Sequence, residues 1–296
     1  MNIALISDEN YAVQSAVTLQ SFFENNEGSH EIYFITIGIT DESRLKLESL
    51  CREHNSIFHY KCMDEKKLDP FNGIGYWSKY TFMKLFIPEL LPSDVDKVLY
   101  LDVDMLIKGS LSAIYCINIE GAGVAAVEDV PQADSHRMRC GLSSDAVYIN
   151  SGLMLMNLPL WRDEINKNSF LNYIEENRAK YKINDQDVIN SVFENRIIPL
   201  DWKYNVTSVF FGFKSPIWKL YRSQYKSIRK NPVVLHFTNS NKPWRTGSYH
   251  VYRKEWFDVL KRTAFVNDIQ WQNNSTKHRC ILILLRIVEF FRIYIL

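Results

Sequence analysis

Apolar runs and helical faces alternate from the start of the chain. Ile3-Ala4-Leu5-Ile6 is a short apolar run that closes on the polar turn Ser7-Asp8-Glu9-Asn10-Tyr11. Val13, Ala16, Val17, Leu19, Phe22 and Phe23 then recur at helical spacing. These patterns predict a strand over 2–7 and a helix over 12–25. The cycle repeats with a strand near 31–38, a helix near 41–54 capped by Thr40 or Asp41, and a strand near 56–62. A β-α-β-α-β order predicts right-handed parallel crossovers and a Rossmann-like half of an α/β fold. Downstream, the pattern predicts a helix over 77–91 stopped by Pro92 and a strand near 122–127 ending in Glu128-Asp129. The polar turn Asn150-Ser151-Gly152 leads into a strand at Leu153–Asn157. Helices near 160–178, 185–194 and 250–264 and a strand over 232–237 carrying His236 complete the series.

One apolar stretch, Lys97 to Ile107, is interrupted by Asp102 and Asp104. It reads as a buried central strand with two acids where it meets the sheet edge, the place where open α/β sheets gather ligands. A buried, uncompensated carboxylate costs several kcal/mol, so either a cation sits there or the pair caps a turn and faces water. The two acids alone leave both readings open. Asp8/Asn10/Tyr11, Asp129, Asn150 and His236 also fall at predicted strand ends, and together they predict one pocket along the carboxyl edge of one sheet. Two carboxylates and an imidazole suit Mn²⁺ or Mg²⁺ better than Zn²⁺. Such an ion is suited to neutralising a leaving diphosphate. No G-x-G-x-x-G follows the first strand, so the usual dinucleotide fingerprint is absent.

Composition narrows the class. A chain of 296 residues can bury a sizeable core in one or two domains. The net charge of +1 gives no electrostatic case for nucleic acid. Five cysteines, odd in number and without a C-x-x-C pair, suit core thiols in a reducing compartment. The first residues lack the basic and long apolar regions of a signal peptide, which points to the cytoplasm. Residues 266–276 are polar and aperiodic. Residues 277–296 join Lys277, His278 and Arg279 to dense apolar residues broken by Arg286, Glu289 and Arg292. Those charges make a poor membrane span. They suit an in-plane amphipathic helix on the anionic inner leaflet, or a helix docked on the core or on a second subunit. The expected division is therefore a domain over 1–265 and a linker and tail over 266–296.

Six motifs now stand in order: Ser7-Asp8-Glu9-Asn10-Tyr11; Leu85 to Pro92; Lys97 to Asp104; Asn150 to Leu158 with Trp161-Arg162; Asn184-Asp185-Gln186-Asp187; and His236-Phe237 with Lys242-Pro243-Trp244. On these the chain, from about residue 2 to 262, resembles glycosyltransferase family 8. These are retaining GT-A-fold enzymes that include bacterial lipopolysaccharide glucosyl- and galactosyltransferases and glycogenin. The resemblance implies a Rossmann-like mixed sheet flanked by helices. It also implies metal-dependent transfer of glucose or galactose from a UDP-sugar to a hydroxyl of a glycan acceptor, such as lipopolysaccharide or another cell-surface glycolipid. By the same resemblance, Asp102, Asp104 and His236 would hold Mn²⁺ or Mg²⁺ against the donor diphosphate, with Asp102 also near the ribose. Tyr11 would stack on uracil, Asp8 would accept from its imide, Asn10 would reach the ribose and Lys242 the diphosphate. Ser7, Lys84 and Val103 join them in donor binding. Asp129, Asn150, Asp185 and Gln186 would surround the donor sugar and the acceptor, although Asp185 also suits a helix N-cap.

Lys84 stands where the family commonly has Arg, keeping the charge without the planar fork. Asn239 and Asn241 stand where the family usually has Gly. A double displacement needs a carboxylate beneath the anomeric carbon, and the motif offers the amide of Gln186 there, which favours front-face substitution. Two other readings compete. A sugar nucleotidyltransferase usually carries a Gly-rich phosphate loop, yet Ile6 to Tyr11 contains no Gly. A non-catalytic membrane-docked scaffold would be favoured by loss of Asp102, Asp104 or His236, and all three are present.

Overall fold

The computed structural model describes residues 1–73, 78–130, 132–177, 182–211 and 222–269, with isolated positions between 280 and 291. A seven-stranded sheet runs through the middle. It contains β1 (Asn2–Ile6), β2 (Glu31–Thr36), β3 (Ile57–Cys62), β4 (Lys97–Leu101), β6 (Val124–Glu128), β7 (Ile149–Asn157) and β8 (Ile197–Leu200), in the order β3-β2-β1-β4-β7-β6-β8. The β-α-β-α-β opening is parallel, as the pattern predicts, with β1 between β2 and β4. β7 runs antiparallel to both β4 and β6, which makes the sheet mixed.

Alternate residues of the central strands feed two cores. Ile3, Leu5, Leu99, Leu101, Leu153 and Leu155 pack with Val17 and Phe22 of helix α1 (Ala12–Asn25) and Leu47 of helix α2 (Asp41–Glu53). Ala4, Val98, Tyr100, Met154 and Met156 pack on the other side with Phe82, Ile87 and Trp161. Both faces are covered, which is why these strands read as continuous apolar runs. Thr40 is the residue that caps α2, its Oγ1 accepting from the Ser43 N–H at 3.2 Å.

The stretch 97–107 is two strands rather than one. After β4 the chain leaves the large sheet at Asp102-Val103-Asp104. It resumes as β5 (Met105–Ile107) in a second sheet with β9 (Val206–Thr207) and β10 (Val234–His236), ordered β5-β10-β9. Buried hydroxyls of α1 supply hydrogen bonds at the break. Thr18 Oγ1 donates to the carbonyl of Val103 or Met105, at 2.8 and 3.0 Å, and Ser21 Oγ accepts from the Ile107 N–H at 3.0 Å.

Other expectations need correction. Asn150-Ser151-Gly152 is no turn but part of β7, because antiparallel pairing extends the strand through polar residues that the pattern assigned to a loop. The helix expected over 160–178 is two, Leu158–Asn166 and Ser169–Asn177, broken where Asn168 adopts a φ of 54°. The helix expected over 77–91 is, where described, a 3-10 segment Lys79–Phe86 with one α-turn Ile87–Leu90. β8, β9 and the helices Ala133–Cys140 and Arg222–Lys230 were not expected. The tail 277–296 falls mostly outside the described residues. Ile283, Leu284, Ile287 and Phe291, which are described, are helical and exposed. Among the described residues no helix is long and apolar enough to cross a membrane.

Candidate active site

A cleft of ≈ 470 Å³ opens where the two sheets part. The carboxyl end of β1 brings Ser7, Asp8 and Tyr11, and the end of β4 brings Asp102, Val103 and Asp104. The amino-terminal part of β7 brings Asn150, Ser151 and Gly152, since that strand runs the other way. The helix Asn184–Val192 adds Asp185 and Gln186, β10 adds His236, the 3-10 segment Lys79–Phe86 adds Lys84, and Lys242 enters from the loop after β10. The sequence pointed to one sheet edge; the cleft instead draws on two sheets and on both ends of strands. Asn10 and Asp129 do not line it. Asn10 bonds to Asp8 Oδ2 at 3.1 Å, and Asp129 lies behind Gln186.

Asp102, Asp104 and His236 each present one ligand atom, and these atoms lie within 4.8 Å of one another. Each aspartate splits its duties. Asp102 Oδ1 lies 3.2 Å from Lys84 Nζ and accepts from Tyr100 Oη at 2.6 Å, while Oδ2 lies 3.5 Å from His236 Nε2. Asp104 Oδ2 accepts from Lys242 Nζ at 2.5 Å, while Oδ1 lies 3.0 Å from His236 Nε2. One oxygen of each acid is thus held by a lysine, and the other converges on the imidazole. A hard or borderline divalent ion fits that donor set.

Electrostatics follow from burial and pairing. Burial alone would raise the Asp104 carboxyl, but attraction and hydrogen bonds from His236 and Lys242 outweigh it and hold it below the usual carboxylate range. Burial would strip the proton from Lys84, yet Asp102 and Asp185 hold its pKa above the ordinary lysine value. Burial and the neighbouring Asp102 push Tyr100 well up, so its hydroxyl remains a donor. Lys84 also lies 3.0 Å from Asp185 Oδ2, which accepts from Ser151 Oγ at 2.8 Å. Asp185 is therefore no N-cap: Ile183 occupies that position, and Asp187 Oδ2 accepts from the Lys182 and Ile183 N–H groups.

Gln186 is fixed by its neighbours. Its Oε1 accepts from the Ser151 N–H at 3.1 Å, and its Nε2 donates to Asp129 Oδ2 at 2.9 Å and to Tyr148 Oη at 3.3 Å. Tyr148 donates in turn to Asp187, which Arg139 grips through both oxygens at 2.7 and 2.8 Å. Burial raises the Asp129 carboxyl, with the hydrogen bond from Gln186 opposing. At the cleft mouth Glu9 accepts from the Thr40 N–H at 2.7 Å and from Ser43 Oγ at 2.8 Å, clamping the β1 turn to α2. Tyr11 meets Trp244 edge-on, ring centroids 6.2 Å apart.

Several members of this site were missed in the sequence. Tyr100 looked like part of an apolar run, although a buried tyrosine hydroxyl needs a partner. Tyr148 and Asn205 stand outside the motifs and gave no signal. Gly152 is needed for its bare Cα: a Cβ there would fall 2.3 Å from His236 Cε1 and 2.8 Å from Asp102 Oδ2.

The chain is similar to known proteins. The chain is 26% identical over 271 residues to General stress protein A of Bacillus subtilis (strain 168), covering 90% of this chain and 94% of that one. It is 27% identical over 249 residues to a lipopolysaccharide 1,2-glucosyltransferase of Escherichia coli, covering 82% and 73%. The crystal structure of the galactosyltransferase LgtC in complex with donor and acceptor sugar analogs superposes with a TM-score of 0.77 at 20% identity, over 95% of this chain and 100% of that one. That likeness establishes the GT-A arrangement of a mixed sheet flanked by helices. The sequence profile of glycosyl transferase family 8 matches residues 2–247, a span that contains every cleft residue named above, and the chain belongs to that family.

Proposed function

We propose that the protein is a metal-dependent retaining hexosyltransferase. It moves glucose or galactose from a UDP-sugar to a hydroxyl of a glycan, with lipopolysaccharide or another cell-surface glycolipid as the acceptor class. The observation that carries this reading is the convergence of Asp102, Asp104 and His236 on one point of a cleft whose mouth holds Asp8 and Tyr11. Relatives that are glucosyl- and galactosyltransferases of lipopolysaccharide support the substrate class.

In this reading Asp8 accepts from the uracil imide, Tyr11 offers its ring to the base and Asn10 reaches the ribose. Ser7 and Val103 shape the same donor subsite. Asp102, Asp104 and His236 would hold a divalent ion, Mn²⁺ or Mg²⁺, which when bound would supply charge neutralisation at the leaving diphosphate. Lys242, already beside Asp104, adds a second positive charge on the diphosphate side. Lys84, Asn150, Asp185 and Gln186 face the donor sugar.

Retention follows from front-face substitution. The bond from the anomeric carbon to the phosphate oxygen breaks, the acceptor oxygen bonds to that carbon from the same face, and the acceptor proton passes to the departing phosphate. The carboxylates nearest Gln186 support this route. Asp185 Oδ2 is engaged by Lys84 and Ser151, Asp129 Oδ2 by Gln186, and both oxygens of Asp187 by Arg139, partners that lower the nucleophilicity of each carboxylate. Hydrolysis of a UDP-sugar panel with Mn²⁺ tests the donor: release of glucose or galactose is expected, and no Mn²⁺-dependent release from any donor would refute the assignment.

The tail over 277–296 is read as an in-plane helix that places the enzyme on the cytoplasmic face of the membrane, where a lipid-linked acceptor resides. Exposed apolar positions Ile283, Leu284 and Ile287 support this, together with the basic residues around them in sequence. Co-sedimentation with anionic vesicles is expected; equal recovery with neutral vesicles would argue against it.

A further inference from the structure

We infer that Asn205 is a positioning residue that dictates which ring nitrogen of His236 faces Asp102 and Asp104. The inference rests on the reading of those three residues as a cation site. It begins at a backbone amide. The Gly152 N–H lies 3.1 Å from the side chain of Asn150, and an N–H can only donate, so the Asn150 atom facing it is Oδ1. The same oxygen lies 2.9 Å from the Asn205 side chain, whose facing atom must then be the donor Nδ2. The other end of Asn205 is therefore its oxygen, and it lies 2.9 Å from His236 Nδ1. An amide oxygen only accepts, so Nδ1 carries a proton. The polarity of one backbone amide is thus passed through two asparagines to the imidazole.

The consequence falls on Nε2, which lies 3.0 Å from Asp104 Oδ1 and 3.5 Å from Asp102 Oδ2. With one proton fixed on Nδ1, Nε2 is the ring atom that gives up its proton, and turns its lone pair toward the two aspartates, when a cation takes that proton's place. Asn205 is 2% exposed and His236 4%, so water is a poor substitute partner on the Nδ1 side. Metal-binding histidines usually donate their second ring N–H to an oxygen in this way, and loss of that oxygen typically weakens binding by about 10–100-fold. Asn205 lies immediately before the two-residue strand β9, which pairs with β10 and so brings it alongside His236.

Two readouts on the full chain test this: Mn²⁺ affinity from the EPR signal of free Mn²⁺, and the ring N–H signals of ¹⁵N-histidine-labelled, metal-free protein. Wild type is expected to bind Mn²⁺ and to show a slowly exchanging Nδ1–H from His236. Asn205→Leu should lose that signal and bind Mn²⁺ about 10–100-fold more weakly. Asn205→Asp keeps an acceptor for Nδ1–H and should keep the ring signal, although its second oxygen loses the donor that Asn205 offers to Asn150 Oδ1. A folded Asn205→Leu protein that binds Mn²⁺ like wild type overturns the inference. If that variant does not fold, a wild-type His236 lacking a protected Nδ1–H, or an Asp variant that lacks that signal, overturns it instead. Wild type that shows the ring signal but binds no Mn²⁺ supports the placement of Asn205 while refuting the cation reading.

Discussion

Two buried polar regions meet in the cleft, and they are built on opposite plans. Around Gln186 the network closes on itself. Arg139 neutralises Asp187, Tyr148 links Asp187 to Gln186, and Asp129 and Ser151 take the rest of the amide. Around His236 the network stays open. Lys84 holds one oxygen of Asp102 and Lys242 one oxygen of Asp104, and the other two oxygens point at the same imidazole edge. A closed network defines shape, whereas an open one with converging donors marks a place for a cation. Acidic residues alone would not have told the two apart, because both regions contain them.

Removing an acid should therefore act differently on each side. Asp187→Ala removes the carboxylate that Arg139 grips through both oxygens and strips two backbone amides of their acceptor. A stability loss of about 3 kcal/mol is expected in chemical denaturation, the lower end of the range for broken buried pairs because Arg139 is partly exposed. Asp104→Asn should be milder for metal-free stability, since it also relieves crowding of like charge around Asp102. A larger loss for Asp104→Asn than for Asp187→Ala would undo the contrast. In turnover the order reverses. Asp104→Asn is expected to lower Mn²⁺-dependent donor hydrolysis by at least about 10²–10³-fold, the usual scale for one preorganised electrostatic group. Gly152→Ala probes the seam between the regions, since its Cβ would strike His236 and Asp102. Overpacking there should cost about 1–3 kcal/mol of stability, measured by thermal denaturation, and a neutral result would mean the ring has room to retreat.

The same contrast governs how much of the molecule is legible in its sequence. The β1-α1-β2-α2-β3 opening was legible because its helices carry a clear apolar face and its inner strands are buried on both sides. Asp102 and Asp104 were legible as an interruption of such a run, and His236 as a polar residue closing another. The closed region was less so. Asn150, Ser151 and Gly152 belong to a strand but carry turn-like side chains, because that end of β7 serves the cleft and not the core. Asp185 looked like a cap, yet its carboxylate answers Lys84, and Asp187 meets the helix end from within. β8, with Pro199, is a half-exposed edge strand defined by its neighbour β6 and not by its own pattern. Asn205 was invisible for the same reason: its role exists only once β9 lies against β10.

The central claim is that the open region binds the donor diphosphate through a cation. The most direct measurement is UDP affinity with and without Mn²⁺, in wild type and in Asp104→Asn. Mn²⁺ is expected to tighten UDP binding to wild type and to have little effect in the variant. UDP binding that ignores Mn²⁺ in wild type, or that responds to it equally in both proteins, would contradict the claim.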